Sequence, residues 1–520
     1  MKTINYIIYF LLIVSAVTSV EAANDSSSLI FEDTQVYTYK FSFFTPDWKD
    51  SMEYYKGLED EPYMPASMLF YNEKGDTVRF DTIGIRYKGN SSYMYSSHTP
   101  KKPIKIKIDK YNKDQTFFGV KRLNFSNNVL EPSFMREKIA YDIIRKYIPS
   151  PRTSYANIYF EDELVGFYTQ IEQIDKTFLK GNFEDHKGNL FKASDNGATL
   201  LFDSTQVYDD EYELKTNEKE NDWSRLAKMI DVLNNSSDKD FVKEAGKYLD
   251  LDNCIRHLAF TVVLSHFDSY TGTSRNFYLY DDPVSGKFKI IPWDLNLAFG
   301  AITNNWDVYN MDIVKIDNLK KRPLNRRIIE NDSLREVYFD YLREFMDGAA
   351  SAEAISVSAD KIQKLIEKHV LADKNKLYTD DDFINNIKED ILFSDGFQME
   401  NLPGIKTFAE NRYPVIRSQI DGYLPVRPNF AKMNKPGFIA NAFNSKSGGL
   451  TIKYNVNKTD QVKVRLISLQ GKTLKVLDEG VRKSGLHIMN IKDHSISSGF
   501  YAVDFSIGNV KTSIPLIIAY

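Results

Sequence analysis

Apolar positions along this chain follow two rhythms, and the change from one to the other marks its organisation. Val36–Phe44 alternates with period two and ends at Pro46, which predicts a strand. Met68–Tyr71 and Thr77–Phe80 flank the turn residues Asn72-Glu-Lys-Gly75 and read as a hairpin, with Ile83–Tyr87 as the next strand. In Lys101–Ile108, the residues Ile104, Ile106 and Ile108 share one face while Lys105 and Lys107 share the other. Ala156–Phe160 and Leu164–Ile171 form another hairpin around Glu161-Asp-Glu163. One helix interrupts these strands. Pro132–Tyr147 carries Met135, Ile139, Ile143 and Tyr147 four apart, with Arg136, Glu137 and Lys138 as first-turn charges, and Pro149 and Pro151 end it.

Residues 178–220 are mixed, and then the rhythm becomes helical. Trp223, Leu226, Ala227, Ile230 and Leu233 mark one helix. Leu251, Ile255, Leu258 and Val262 mark a second, with Asp250 as its N-cap. Leu334–Met346, Ala352–Leu371, Asp381–Phe393 and Ile405–Tyr423 follow. An α-rich half therefore succeeds a β-rich half, an α+β fold spanning residues 30–425, and ligands commonly sit where two such halves meet. Pro425-Val-Arg-Pro428 and Asn434-Lys-Pro-Gly437 punctuate a boundary. Alternation then returns at Leu450–Val456, Val462–Leu466 and Tyr501–Phe505, predicting a small β-sandwich over residues 436–520.

The densest chemistry lies between Ser265 and Gly300. After the helix ending near Val262, Asp268–Asn276 is too polar and too interrupted by Gly272 to continue it. Phe277–Tyr280 and Phe288–Ile291 are strand-like runs joined by Asp281-Asp-Pro-Val-Ser-Gly286, a hairpin. A hairpin brings its ends together, so Asp268 and Asn276 before it can meet Asp294 and Asn296 after it. These hard oxygen donors suit Mg²⁺ or Mn²⁺ holding a phosphate. Protein kinases place an acceptor-orienting Asp, a metal-binding Asn, a hairpin and a metal-binding Asp in this order. Here the two aspartates are 26 positions apart, and neither HRD nor DFG occurs. The same residues also read as turn caps and a strand start. The Lys88-Gly-Asn-Ser-Ser92 loop reads either as an ordinary turn or as a phosphate-facing loop. Lys105 and Lys107 read either as the solvated face of an edge strand or as cations facing a cleft. Glu137 reads either as a partner of a strand lysine or as part of a solvated helix face.

Composition narrows the class. Of 520 residues, 42% are hydrophobic and 13% aromatic, which is globular rather than disordered. A net charge of −4 gives nucleic-acid binding no electrostatic support. Lys2, the apolar run Ile7–Val14 and Val20-Glu-Ala22 read as a secretory signal peptide over residues 1–22, with no transmembrane anchor. The single cysteine, Cys254, excludes an internal disulfide and reads as a core filler.

The run from His266 to Gly300 resembles the signature of the spore coat protein H (CotH) family of atypical secreted kinases. Three other segments resemble it in the same order: Gly84-Ile-Arg-Tyr-Lys-Gly-Asn-Ser-Ser92, Lys101-Lys-Pro-Ile-Lys-Ile-Lys-Ile108 and Val165-Gly-Phe-Tyr-Thr-Gln-Ile-Glu-Gln-Ile-Asp175. Arg275 departs from the pattern, which places His before the Asn. The resemblance implies a two-lobed kinase-like domain using ATP and Mg²⁺ or Mn²⁺ to phosphorylate Ser or Thr on a surface protein or on itself. It implies that Asp268 orients the acceptor hydroxyl, and that Asn276, Asp294 and Asn296 hold metal. Lys105 or Lys107 would neutralise phosphate charge, assisted by Arg86, Lys88, Asn90, Ser91 and Ser92, with Glu172 at the adenine-holding junction of the lobes. The family is also linked to non-catalytic roles, so an adhesin or assembly scaffold is the rival. In the tail, Val464-Arg-Leu-Ile-Ser-Leu-Gln-Gly-Lys472 and Ser497-Ser-Gly-Phe-Tyr501 resemble the C-terminal sorting domain of type IX secretion cargo, implying the secretion machinery as a partner and a surface or secreted location. The ending Ile514–Tyr520 lacks that domain's basic finish.

Overall fold

The computed structural model describes residues 26–195, 197–205, 207–301, 307–316, 318–394, 399–423, 440–445, 449–456, 458–468, 471–491, 499–508 and 510–518. The expected signal peptide and the Pro-rich boundary at 425–437 lie outside the described residues, as do Leu469, Gln470, Ser497 and Ser498 of the sorting-like motifs.

The β-rich half closes on itself. Strands β1 (Val36–Phe43), β2 (Met64–Tyr71), β3 (Thr77–Tyr87), β4 (Ile104–Lys107), β5 (Arg122–Ser126), β6 (Thr153–Phe160) and β7 (Glu163–Glu172) form a barrel in the order β1-β2-β3-β4-β5-β7-β6. Parallel pairing of β1 with β6, Val36 opposite Tyr155, completes the ring. Alternate residues point inward, so Tyr37, Tyr39, Phe41, Ile83, Ile85, Ile104, Ile106 and Phe125 fill one apolar core. Tyr39 packs on Phe70, Phe117 and Phe125, and its buried hydroxyl donates to Gln170 Oε1 at 2.6 Å. The pairing of β4 corrects the edge-strand reading of the lysine strand. β4 is hydrogen-bonded to β3 on one side and β5 on the other, so its lysine face is not an exposed edge. The break expected between Phe80 and Ile83 is also absent. β3 runs through it and accommodates the kink with a register shift opposite Ala66 and Met68.

Helices α1 (Trp48–Lys56) and α2 (Ser91–Tyr95) lie within this half, and α3 (Arg136–Ile144) joins it to the next. α3 starts at Arg136 rather than Pro132, and Arg136, Glu137 and Lys138 are all buried, so the solvated-face reading fails. The reason is position, since α3 packs against both β6 and α10 (Ala352–Ala372). Arg136 is satisfied there by Glu131 Oε1 at 2.9 Å and Asn386 Oδ1 at 2.9 Å.

The second half has α4 (Lys176–Asn182), α5 (Ser224–Asn235), α6 (Phe241–Ala245) and α7 (Leu251–Val263) beside a small sheet. That sheet contains β8 (Leu190–Ala193), β9 (Tyr212–Leu214), β10 (Phe277–Asp282) and β11 (Lys287–Pro292), in the order β11-β10-β8-β9. Then come α8 (Pro323–Glu330), α9 (Asp332–Asp347), α10, α11 (Asp380–Asn385) and α12 (Ile405–Tyr423). The long helix expected over Asp381–Phe393 is instead α11 followed by strand β12 (Ile391–Ser394), paired with β13 (Met399–Leu402). Asn386 ends α11 because its amide donates to Leu402 O at 2.8 Å and to Glu389 O at 3.1 Å. Cys254 is buried in this core, and burial pushes its thiol pKa up. The native chain should therefore not react with a thiol reagent such as DTNB until it is unfolded. Stoichiometric labelling of the folded chain within minutes would contradict this burial.

The tail has two antiparallel sheets. One contains β14 (Ala440–Ser445), β15 (Gly449–Val456) and β18 (Gly485–Ile491); the other contains β16 (Asp460–Ser468), β17 (Thr473–Arg482), β19 (Gly499–Ile507) and β20 (Val510–Ile518). Ile452, Tyr454, Val464, Leu466, Val503 and Phe505 from both sheets share a small separate core.

Candidate functional site

The site begins where α7 runs out. Its N-cap Asp250 accepts from Asn253 N, as the sequence predicts. Thr273 N donates to Phe267 O at 3.0 Å, curling residues 267–273 into a tight loop. Gly272 is required there, since a Cβ would lie 2.0 Å from Phe267 O. Arg322 fixes the loop from outside, donating from Nε to Tyr270 O at 2.7 Å and from Nη2 to Gly272 O. The loop presents Asp268, whose Oδ1 accepts from Thr273 Oγ1 at 2.8 Å and whose Oδ2 accepts from Asn276 Nδ2 at 2.8 Å. Asn276 Nδ2 also reaches Asp268 O at 2.9 Å. The two expected partners therefore meet, with the Asn276 amide oxygen left as an acceptor.

The β10–β11 hairpin then brings Asp294 alongside. Phe277 pairs with Pro292, and Trp293 N donates to Asn276 O at 3.0 Å, closing the mouth. Asp294 and Asn276 both adopt left-handed backbone conformations, with φ of 53° and 58°. Such φ values are costly for most residues and least so for Asn and Asp. The Asp294 amide donates to the Tyr141 hydroxyl of α3 at 3.0 Å, which ties the hairpin end to α3. Burial raises the Asp294 carboxyl pKa; Asp268 and Asp195 raise it further, while Lys88 and Lys192 oppose. Asn296 is half-buried just beyond, in the turn Leu295–Leu297.

The barrel supplies the opposite charge. Lys88, at the end of β3, stacks over the Trp293 ring with Nζ 5.6 Å from its centroid. Burial lowers its pKa, and Asp294 and Glu137 pull it back up. Glu137 is 1% exposed, and its carboxylate oxygens have no well-formed hydrogen bond. Burial and Asp294 push its pKa well up, with Lys88 and the Ser126 hydroxyl opposing. The lysine that acts on the helix glutamate is Lys88 rather than either β4 lysine, through charge and not through a direct ion pair. Lys105 is the most frustrated cation. Burial drives its pKa well down, and Lys88, Arg86, Arg122 and Lys192 all add to the effect, with no carboxylate among the leading causes. Lys107 is less buried and has Asp109 as a compensating charge.

The remaining expected residues divide. Arg86 adds to the basic field but is held by Glu61, with an ion pair of 2.9 Å and a hydrogen bond to Glu61 O at 2.6 Å. Asn90 Nδ2 donates to Asp195, so the loop after β3 touches the chain just after β8. Gly89 takes a φ of +79° to make that turn. Ser91 and Ser92 open α2 and are exposed and half-buried respectively. The Glu172 side chain is not brought to the cluster. Its carboxylate is occupied by Arg152, at 2.5 Å and 3.0 Å, at the far end of β7. Asp195, Lys192 and Arg322 escaped the sequence reading, because nothing local in the mixed stretch 178–220 or in residues 307–322 signals the loop they touch. Among the described residues no group of three or more His, Cys, Asp or Glu is placed to hold a metal ion. The available donors are two carboxylates and amide oxygens, a set that suits a hard cation shared with a phosphate.

Comparisons with known proteins agree on one family. Residues 85–416 match the family model described as CotH kinase protein. Inner spore coat protein H of Bacillus subtilis (strain 168) is 26% identical over 343 residues, covering 63% of this chain and 87% of that protein. The matched region holds Lys88, Lys105, Glu137, Asp268, Asn276 and Asp294 together, and stops before the two tail sheets. The chain belongs to the CotH kinase family.

Proposed function

We propose that this chain is a secreted, two-lobed kinase-like enzyme that transfers phosphate from ATP to Ser or Thr of a surface protein or of itself. One observation carries this reading. The cleft has a basic side, where the leading neighbours of Lys105 are all cations, and an acidic side, where Asp268 and Asp195 crowd Asp294 against Lys88 and Lys192. A metal nucleotide would bring an anion to the first and a cation to the second. Asn276, Asp294 and Asn296 would hold Mg²⁺ or Mn²⁺, which would screen the phosphate charge. Asp268, oriented by Thr273 and Asn276, would accept the hydroxyl proton of the incoming Ser or Thr. Lys88, steered by Glu137, and Lys105 would grip the phosphates. Backbone groups near Gln173 would border the adenine. The tail would be a sorting-like β-sandwich engaging secretion machinery. Among the described residues no helix is long and apolar enough to cross a membrane, and the Bacillus relative is named for a spore coat, which supports a surface location. That name also favours the rival reading, a non-catalytic coat or scaffold component on the same fold.

The deciding experiment is transfer of labelled phosphate from ATP by the full mature chain with Mn²⁺; absence of both transfer and metal-dependent ATP binding would leave the scaffold reading. Two narrower outcomes follow. Lys105→Ala should weaken ATP binding roughly ten- to a hundred-fold, the worth of a charge-assisted hydrogen bond, while Lys107→Ala should change it little. The reverse order in a titration would move the phosphates outward along β4. Burial and neighbouring cations lower the Lys105 pKa, so phosphate binding should raise it and, at a pH near the lowered value, draw a proton from solution. The binding enthalpy should then vary with buffer ionisation enthalpy in the wild type and not in Lys105→Ala.

A further inference from the structure

A second cavity lies on another face of α3. It encloses about 410 Å³ and is lined by residues of the segment before β1, of α3, of β6 and of α10. From α3 come Lys138 and Asp142, with Arg145 and Lys146 just beyond its end, and from α10 comes Lys361. Lys138 and Asp142 lie roughly 100° or more around the helix from Glu137, so the cavity is not the nucleotide cleft.

Its charges do not balance. The Lys138 ammonium, 3% exposed, lies between Asp33 Oδ1 at 2.6 Å and Asp142 Oδ2 at 2.5 Å, so one cation occupies both carboxylates. The remaining acid, Glu32, is taken by Lys74 at 2.7 Å and by the Gln35 amide at 2.7 Å. Arg145, Lys146 and Lys361 form no ion pair among the described residues, yet all three line the one cavity. The negative end of the α3 dipole accounts for cations at Arg145 and Lys146. It does not account for Lys361, which arrives from a different helix. Lys138 leaves one carboxylate charge over, so the three cations still give a net charge of +2 around one concavity, and an anion of two charges would relieve it. The volume falls in the range of small-ligand sites.

We infer that this cavity binds a small polyanion of the diphosphate type, separate from the nucleotide cleft and resting on the helix that carries Glu137. Ligand phosphates would bridge Arg145 and Lys146 on one wall and Lys361 on the other, away from the Asp33–Lys138–Asp142 triad and its one excess negative charge.

Calorimetric titration of the full mature chain with inorganic pyrophosphate tests this. A Lys105→Ala background weakens the nucleotide cleft. In that background pyrophosphate should still bind, and adding Arg145→Glu with Lys361→Glu should weaken it at least roughly ten-fold. All three residues of the rim are exposed, so these changes spare the core. Lys364→Glu, on α10 but outside the cavity, should leave binding intact and separates a local contact from bulk charge. The inference is overturned if the Lys105→Ala chain binds no pyrophosphate at millimolar concentration, or if the two charge reversals change nothing. Failure of the kinase reading looks different. Wild type and Lys105→Ala would then bind pyrophosphate identically, and both would lose it on charge reversal.

Discussion

Asp294→Asn should abolish Mn²⁺-dependent phosphoryl transfer, by roughly a thousand-fold or more. Removing a metal ligand forfeits several kcal/mol of charge stabilisation, and about 4 kcal/mol is a thousand-fold. Asn is the informative replacement. It keeps a side chain that tolerates the left-handed backbone at φ 53°, and it leaves the backbone hydrogen bond to Tyr141 in place. Loss of activity then reports on charge rather than on a collapsed turn. A second readout does not need catalysis. Burial raises the folded pKa values of both Asp294 and Glu137, so each contributes stability below its unfolded pKa that is lost as pH rises through the folded value. At neutral pH the metal-free wild type should therefore be less stable than Asp294→Asn, and Mn²⁺ should stabilise the wild type alone. Thermal unfolding with and without Mn²⁺ measures this. Equal transfer rates in the two chains would sink the metal-ligand assignment, and an equal Mn²⁺ response would place the ion elsewhere.

The parts of this site that could be read from the sequence are those made by neighbours in the chain. Asp268, Asn276 and Asp294 flank one hairpin, and hairpin turns have strong local signals in Asp281-Asp-Pro-Val-Ser-Gly286. The α7 helix and its Asp250 cap were legible for the same reason. What the sequence hides is set by long-range closure. The strand β5 carries no clear alternation, and without that neighbour the lysine strand looks like an edge. Glu137 reads either as a lysine partner or as a solvated first-turn charge, because polarity normally predicts exposure. Burial between the two halves reversed that, and the same burial gives Glu137 and Lys88 their value to each other. Glu172 sits in a family-like segment, and its carboxylate is taken by Arg152, which leaves its backbone groups for the role the resemblance implies.

Asp373→Ala should be among the most damaging single substitutions for stability, although Asp373 is not one of the site residues. Lys101 belongs to the same lysine-rich run as Lys105 but precedes β4, and its side chain turns inward. Its ammonium lies 2.8 Å from Asp373 Oδ2, with side-chain exposures of 1% and 0%. The ring of Phe134 lies 4.6 Å from the ammonium. Asp373 Oδ2 also accepts from Phe167 N at 2.9 Å, so this one carboxylate joins the end of α10 to β7 and to the approach of β4. Packing there is tight, since a Cβ on Gly166 would come within 2.9 Å of both Asp373 Oδ2 and Lys101 Cδ. Removing the carboxylate strands a buried ammonium and a backbone N–H, at a cost of about 3–5 kcal/mol. The double change Lys101→Met with Asp373→Leu should recover much of that loss, because it removes both charges together. The pH dependence separates charge from packing. Burial already lowers the Lys101 pKa, and without Asp373 it falls further, so the unfolded chain holds the proton more tightly. The deficit of Asp373→Ala should therefore shrink as pH rises toward the unfolded lysine pKa, whereas the double variant should show no such trend. Urea midpoints of the three chains at neutral and alkaline pH decide it. A deficit that does not change with pH would mean the damage comes from lost packing at β7 and not from the stranded charge.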